Sequence, residues 1–423
     1  MFNLGGVEPA LALAKEIVAE AKNIDALALR AEAQLLYGRL LHSSGKTPEA
    51  QVQLRDGVAS AIAADYDVLA FESWNALADA QGGAEPTEAG RYAEAYWIRL
   101  DRDPFLGAKL FTQRGMTALG AARHEDARKT LGEALRYLES SAYDDYPLEV
   151  RILGGLAAAN AKVGKLTNAV EFNKRGQTLS ASLFGEVNPQ TLSLQLNRGN
   201  LLYLSGDYEG ALETHQGLLH TYEALYGPEH KDTARTVFNI AVVNLALGNN
   251  DDALKMLERA VEIRTATLGP KHASTLRGEQ AVVHTLKELA RYDEAARRAE
   301  AVIQNQRETL GDDHYDIAYS LVTLAEVLGL QGKIDAGVQV GTDALAMIER
   351  VMGTGHPFYG EALTTVGEIL ARGARREEAI SRFEGAIKTL KNYDGDATLI
   401  AKARFGPASL RGVGPRCLRP ATA

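Results

Sequence analysis

The sequence predicts an all-α fold, a solenoid of antiparallel helix pairs, from three observations. Leu-Phe-Gly at 183–185 returns as Leu-Tyr-Gly at 225–227, as Thr-Leu-Gly at 267–269 and 309–311, and as Val-Met-Gly at 351–353. Gly185, Gly227, Gly269, Gly311 and Gly353 therefore lie 42 residues apart. Out of phase with them, Gly206, Gly248, Ala290, Gly332 and Ala374 keep the same interval, and so do Ala211, Ala253, Ala295, Gly337 and Ala379. Small residues at one fixed period mark a supersecondary unit copied in tandem. The composition suits helices: alanine is abundant, aromatic residues are 7% and there are 12 prolines, clustered at expected loops.

Taken in order, residues 1–22 read as the second helix of a pair whose first helix is missing. Gly5 precedes Ala10 by the offset that separates Gly206 from Ala211, and Leu11, Leu13, Ile17, Val18 and Ala21 follow at helical spacing. A fragment, or a start at an internal methionine, is the expectation. Asp25 to Leu41 form the next helix, with Leu29, Ala33, Leu36 and Leu40 on one stripe. Pro48 opens its partner at the first turn, where a missing N–H costs nothing, and that helix runs to about Ala63. Asp65–Ala80 and Thr87–Leu100 make a further pair, separated by the longer loop at 81–86, where the spacing slips. Asp103-Pro104 starts the next pair, with Gly120-Ala121-Ala122 as its hinge.

From Ala122 the register locks, and the period holds over 104–391. It accommodates two helices of about 16–18 residues, each about 25 Å long. Three regions result: 1–103, degenerate helix pairs; 104–391, the regular array; and 392–423, an aborted helix and a basic tail. Small residues at 253 and its equivalents mark the helix crossing, because helices approach to about 8–10 Å only where bulk is absent. Glycines at the turn within each repeat supply the left-handed conformation that stops the first helix. Asp207 and Asn249 to Asp252 place oxygens and negative charge at the start of second helices. Ala397 to Phe405 reads as the opening of one more first helix. Residues 406–423 read either as a disordered basic tail or as a frameshifted end.

The net charge of −9 disfavours sequence-independent nucleic-acid binding, which needs a basic stripe. The acidity resides in the body, since Lys402, Arg404, Arg411, Arg416 and Arg419 follow Asp396 without an acid among them. One cysteine, Cys417, excludes an intramolecular disulfide framework and a cysteine-rich zinc site. No apolar run approaches the roughly 20 residues that cross a bilayer, and the N-terminus lacks the pattern of a secretion signal. No nucleic-acid partner, no membrane and a cytoplasmic location are the expectations.

The unit resembles the tetratricopeptide repeat in the 42-residue form of kinesin light chains. Phe238-Asn239-Ile240-Ala241, Gly248, Ala253-Leu254, Ala260-Val261 and Leu268-Gly269-Pro270-Lys271-His272 follow that pattern. Gly206-Asp207-Tyr208, Ala211-Leu212 and Leu225-Tyr226-Gly227-Pro228-Glu229-His230 follow it again, and Gly355-His356-Pro357 keeps its His-Pro end. The alanine-rich style is also similar to arrays appended to bacterial serine/threonine kinases of the myxobacterial kind. No kinase phosphate loop, His-Arg-Asp loop or Asp-Phe-Gly is present.

The resemblance implies a right-handed superhelix whose first helices line a concave face. Asparagines there would hydrogen-bond the backbone of an extended peptide. Asn197 and Asn239 match by position, whereas the next copies carry Ala281, Thr323 and Thr365. Asn160, Asn200 and Asn244 lie on first helices too, and Arg198 is a first-helix cation placed to meet a partner carboxylate. For each asparagine, a bond to a neighbouring helix end is the competing reading.

His230, His272, His314 and His356, with Asn188 one copy earlier, keep the period too. Equivalent atoms of stacked repeats lie about 10 Å apart, too far to share a metal whose ligands sit within about 2.1 Å. A loop hydrogen bond at the start of the next first helix is the expected role. His215 and His220, five apart, do not align as helix ligands. No nucleophile arrangement or paired carboxylate stands out, so neither catalysis nor a cofactor is expected. The leading expectation is a non-catalytic scaffold for a protein or extended peptide, such as the regulatory half of a kinase. The sensing half of a transcription regulator is the alternative.

Overall fold

The computed structural model describes residues 7–83, 87–391, 400–401 and 403–404. Every regular element among them is a helix. The chain divides into two compact units, Met1–Thr214 and His215–Ala423. The division falls inside a helix, at a place the sequence period does not mark.

The first unit contains α1 (Val7–Ala21), α2 (Leu27–Ser43), α3 (Thr47–Ala63), α4 (Asp67–Gln81), α5 (Glu88–Arg99) and α6 (Pro104–Gly120). It continues with α7 (His124–Glu139), α8 (Tyr146–Lys162), α9 (Leu166–Phe184) and α10 (Pro189–Leu204). Helix α11 (Tyr208–Tyr226) holds the dividing residue. The second unit continues with α12 (Lys231–Ala246), α13 (Asn250–Leu268), α14 (Ala273–Glu288) and α15 (Tyr292–Leu310). It closes with α16 (Tyr315–Leu330), α17 (Ile334–Met352), α18 (Pro357–Arg372) and α19 (Arg376–Leu390).

Within each unit consecutive helices pack as pairs. The first helices of neighbouring pairs also touch: α2 with α4, α4 with α6 and α6 with α8 in one unit, α14 with α16 and α16 with α18 in the other. First helices thus form the inner layer of each unit. The core of the second unit runs unbroken from Ala241 to Leu390, whereas that of the first is parcelled into local clusters.

The crossing residues behave as a close approach requires. Ala127, Ala169, Ala211, Ala253, Ala295 and Ala379 are all fully buried. At Gly337 a Cβ would come within 3.0 Å of the Ala325 carbonyl oxygen on α16. Ala253→Leu should therefore overpack the α12–α13 crossing and lower stability by about 2 kcal/mol, read as a shifted urea midpoint with helicity retained.

The turn within each repeat is left-handed as expected. Gly164, Gly206, Gly248 and Gly332 have φ of 77°, 84°, 79° and 78°, and the alanines at this site, Ala122, Ala290 and Ala374, are held at 57°, 57° and 58°. The turn between repeats is of another kind. Gly185, Gly269, Gly311 and Gly353 combine φ of 87°, 91°, 82° and 84° with ψ of 163°, 158°, −175° and 157°. Only glycine populates that region freely.

A threonine clasps this second turn in three copies. The hydroxyls of Thr191, Thr233 and Thr275 donate to the carbonyls of Gly185, Gly227 and Gly269, each at 2.9 Å. The three side chains are buried. Thr275→Val should leave the Gly269 carbonyl without this donor and cost about 1–2 kcal/mol. Thr275→Ser, which keeps a hydroxyl, should recover most of that loss in the same melt.

Two sequence expectations need correction. The helix expected from Asp65 starts at Asp67, because Asp65 itself has φ 52° and ends the preceding helix. Asp207 caps α11, its Oδ1 accepting from Gly210 N at 3.0 Å, but Asn249 does not cap α13. Its amide instead donates to Asn244 Oδ1 at 3.3 Å. The remaining second-helix starts from α7 onward, at Arg123, Lys165, Arg291, Lys333 and Arg375, likewise have no side-chain cap. Most of the expected aborted helix and tail at 392–423 lies outside the described residues. Residues 400, 401, 403 and 404 are helical, and Ala403 is buried in the core of the second unit.

Candidate functional site

The histidine series is a set of helix caps. His230, His272, His314 and His356 each present Nδ1 to the backbone N–H two residues on, at 3.2, 3.1, 3.2 and 3.2 Å. Asn188 does the same with Oδ1, accepting from Gln190 N at 2.8 Å. These residues close the starts of α10, α12, α14, α16 and α18, where free N–H groups need acceptors. Among the described residues no group of three or more His, Cys, Asp or Glu side chains is placed to hold a metal. No described helix is long and apolar enough to cross a membrane.

The six candidate residues fall on three first helices. Asn160 is on α8, Asn197, Arg198 and Asn200 are on α10, and Asn239 and Asn244 are on α12. The first four belong to one unit and the last two to the other. Asn160 is 1% exposed and donates to its own helix, at Leu156 O, 2.8 Å. Asn244 is buried and donates to Ile240 O at 3.0 Å.

Register explains both. The copies of this position are Leu202, Leu286, Leu328 and Leu370, so Asn160 and Asn244 stand where other repeats place leucine. Each is tied into its own unit by its amide. Asn197 and Asn239 are half-buried, while Arg198 and Asn200 are exposed on α10. At the copies of Asn197, the hydroxyls of Thr323 and Thr365 donate to Tyr319 O and Glu361 O, one turn back on their own helices. Gln113, the copy of this position on α6, is buried, and its amide donates to Thr117 Oγ1 at 2.9 Å.

The Trp97 indole lies in the core of the first unit. Trp97 meets Phe111 and Tyr137 edge-on, with centroids 5.7 Å away in each case, and its indole N–H donates to Asp103 O at 2.9 Å. Trp74 stacks on Tyr92 at 4.6 Å. His215 is buried too, at 1% exposure. It occupies the register position held by Leu131, Leu257 and Phe383 elsewhere. Burial pushes its imidazole down to about 4.

Sequence reasoning missed a polar cluster on the first-helix layer of the first unit. Arg39, Glu72 and Lys109 come together there from α2, α4 and α6. Those residues precede or straddle the slip at 81–86, so the period gave no signal that would align them.

Residues 190–266, 235–308 and 316–392 match the tetratricopeptide repeat family. Among solved structures, the apo form of RapI is similar with TM-score 0.63 and 14% identity, over 85% of this chain and 97% of that one. The apo quorum sensor NprR from B. thuringiensis is similar with TM-score 0.60 and 14% identity, over 89% and 92%. A signal transduction ATPase of Pyrococcus horikoshii with a tetratricopeptide repeat sensor gives TM-score 0.61 and 13% identity, over 89% of this chain and 55% of that one. At such identities the likeness is one of fold. No curated protein matches the chain.

Proposed function

From the premise that this chain carries tetratricopeptide repeats, we propose that it is a non-catalytic scaffold whose first-helix faces bind a protein or an extended peptide. We further propose that it serves as the regulatory or sensor part of a bacterial signalling protein, such as a serine/threonine kinase. One observation carries the binding reading. The first helices form the inner layer of each unit, and α10 presents the exposed Arg198 and Asn200 beside the half-buried Asn197. Carboxamides and guanidinium there offer several donors to a peptide backbone or carboxylate.

The test is made unit by unit on a partner identified by pull-down and then purified. Arg198→Glu with Asn197→Asp, and separately Asn239→Asp, should each weaken capture by about tenfold, with circular dichroism unchanged. Undiminished capture by both variants refutes the assignment of these faces.

A second reading, the peptide-sensing half of a transcription regulator, is favoured by the fold likeness to the quorum sensor NprR over most of both chains. The adjoining reading frame discriminates: a kinase domain supports the first reading, a DNA-binding module the second.

A further inference from the structure

We propose that the first unit docks a basic amphipathic helix of a partner protein along one edge, the edge formed by its turns between helix pairs. This surface is separate from the first-helix faces considered above.

Antiparallel pairing puts the α3–α4, α5–α6 and α7–α8 turns on the same edge of the unit. Two contacts stitch them together. Arg99, at the end of α5, pairs with Asp67, at the start of α4, at 2.7 Å. The Tyr143 ring on the α7–α8 turn meets the Phe105 ring at the start of α6, with centroids 5.5 Å apart. Along this edge Ile62, Tyr66, Val68, Ile98, Tyr143 and Tyr146 are between 39% and 63% exposed. The opposite edge is unlike it: the turns within pairs at 44–46, 121–123 and 163–165 expose no large apolar side chain. Apolar residues exposed singly need no explanation, but a group of them on adjoining turns marks an interaction surface.

Area decides the size of the occupant. Six side chains of this size and exposure leave about 550 Å² uncovered. A folded partner or a second copy takes about 800 Å² per side, and a single helix takes less. Three turns spaced about 10 Å apart span about 20 Å, the length of a helix of about 14 residues. Such a helix offers an unbroken apolar stripe.

Charge decides its sign. Residues 62–68, 98–105 and 140–146 hold six aspartates against two arginines. Asp103 and Asp145 cap α6 and α8, and Asp67 is paired with Arg99. Asp65, Asp101 and Asp144 are exposed and form no ion pair among the described residues. Each turn thus sets an unpaired aspartate close to exposed apolar side chains: Asp65 beside Tyr66, Asp101 after Ile98 and Asp144 beside Tyr143. A helix whose apolar stripe is flanked by lysine or arginine meets both features. An acidic helix, or the same edge of a second copy, meets like charge.

The experiment uses the full chain and three fluorescein-labelled peptides of about 14 residues. One sets leucine at helical spacing among lysines, one sets leucine at the same places among glutamates, and one scrambles the first. Anisotropy titration should show the lysine helix binding about tenfold or more tighter than either other peptide. Tyr66→Ser with Tyr143→Ser should cost about tenfold of that affinity. So should Asp65→Asn with Asp101→Asn and Asp144→Asn, which leaves the apolar side chains in place. Asparagine tolerates the left-handed backbone of residues 65 and 101, and circular dichroism with a urea melt checks that both variants fold. Removing three exposed acids elsewhere, by Glu209→Gln with Asp251→Asn and Glu377→Gln, should leave binding unchanged, as should Arg198→Glu on the first-helix face. Equal binding of the scrambled peptide, no binding of any peptide, or an equal loss in either control overturns the proposal. Self-association in sedimentation velocity, or binding to phosphatidylcholine vesicles, that disappears in the Tyr66→Ser, Tyr143→Ser variant overturns it too, because the edge then belongs to a second copy or to a membrane.

Discussion

Gly269→Ala is expected to lower stability by about 3 kcal/mol, whereas Gly248→Ala, in the same repeat, is expected to cost about 1 kcal/mol. Neither change collides with anything, because a Cβ at either glycine would have no heavy atom within 4 Å. The difference lies wholly in the backbone. At Gly248 φ is 79° in the left-handed region, which alanine already occupies at 122, 290 and 374. At Gly269 φ 91° is combined with ψ 158°, and no L-residue relaxes there without moving the chain. The turn also fixes the entry of α14 through the Thr275 clasp and the His272 cap, so relaxation has little room. Urea melts of both variants measure the contrast. Equal losses would place the strain elsewhere. Ala290→Gly supplies the reverse control, with an expected gain of up to about 1 kcal/mol.

Much of the fold was legible because period alone is sufficient to pair helices. Five glycines and five small residues in phase fixed where chains turn and where helices cross, and the buried alanines at 127 to 379 occupy those crossings. Legibility ended where a residue's partner is set by packing rather than spacing. Asn160 and Asn244 looked like groove residues because first helices carry them. Comparison with Leu202 and Leu286 at the same register position would have assigned both to the interior. The threonine clasp was visible in principle, since Thr191, Thr233 and Thr275 keep the period. It went unread because its acceptor is a backbone carbonyl. Asn249 looked like a cap, yet its amide is drawn to Asn244, the asparagine that replaces a leucine.

The polar cluster of the first unit illustrates a stricter limit. Arg39, Glu72 and Lys109 come from three helices whose spacing is irregular across the loop at 81–86. No single interval aligns them. Their association depends on how far each helix pair is rotated on the last, a quantity that sequence spacing does not carry.

The register position of His215 leads to the other large effect. Six copies of this position carry Leu131, Asn173, Leu257, Ala299, Gly341 and Phe383, and all are buried. A histidine there is held neutral, its imidazole pushed by burial from 6.5 to about 4. Its folded pKa is lower than its unfolded one, so the unfolded chain binds the extra proton as pH falls between those values. Stability is therefore full above pH 6.5 and declines toward pH 4, by about 3 kcal/mol from this residue. His215→Leu, which installs the side chain of the next repeat, should flatten the urea midpoint across that window and raise it most at the acid end. Carboxylates such as Glu72, held below their usual range, titrate lower, whereas His284, also pushed down by burial, adds a dependence of the same sign that remains in the variant. A wild-type midpoint that does not fall between pH 6.5 and pH 5, or a His215→Leu variant that falls in parallel with it, would remove the buried neutral imidazole from the account.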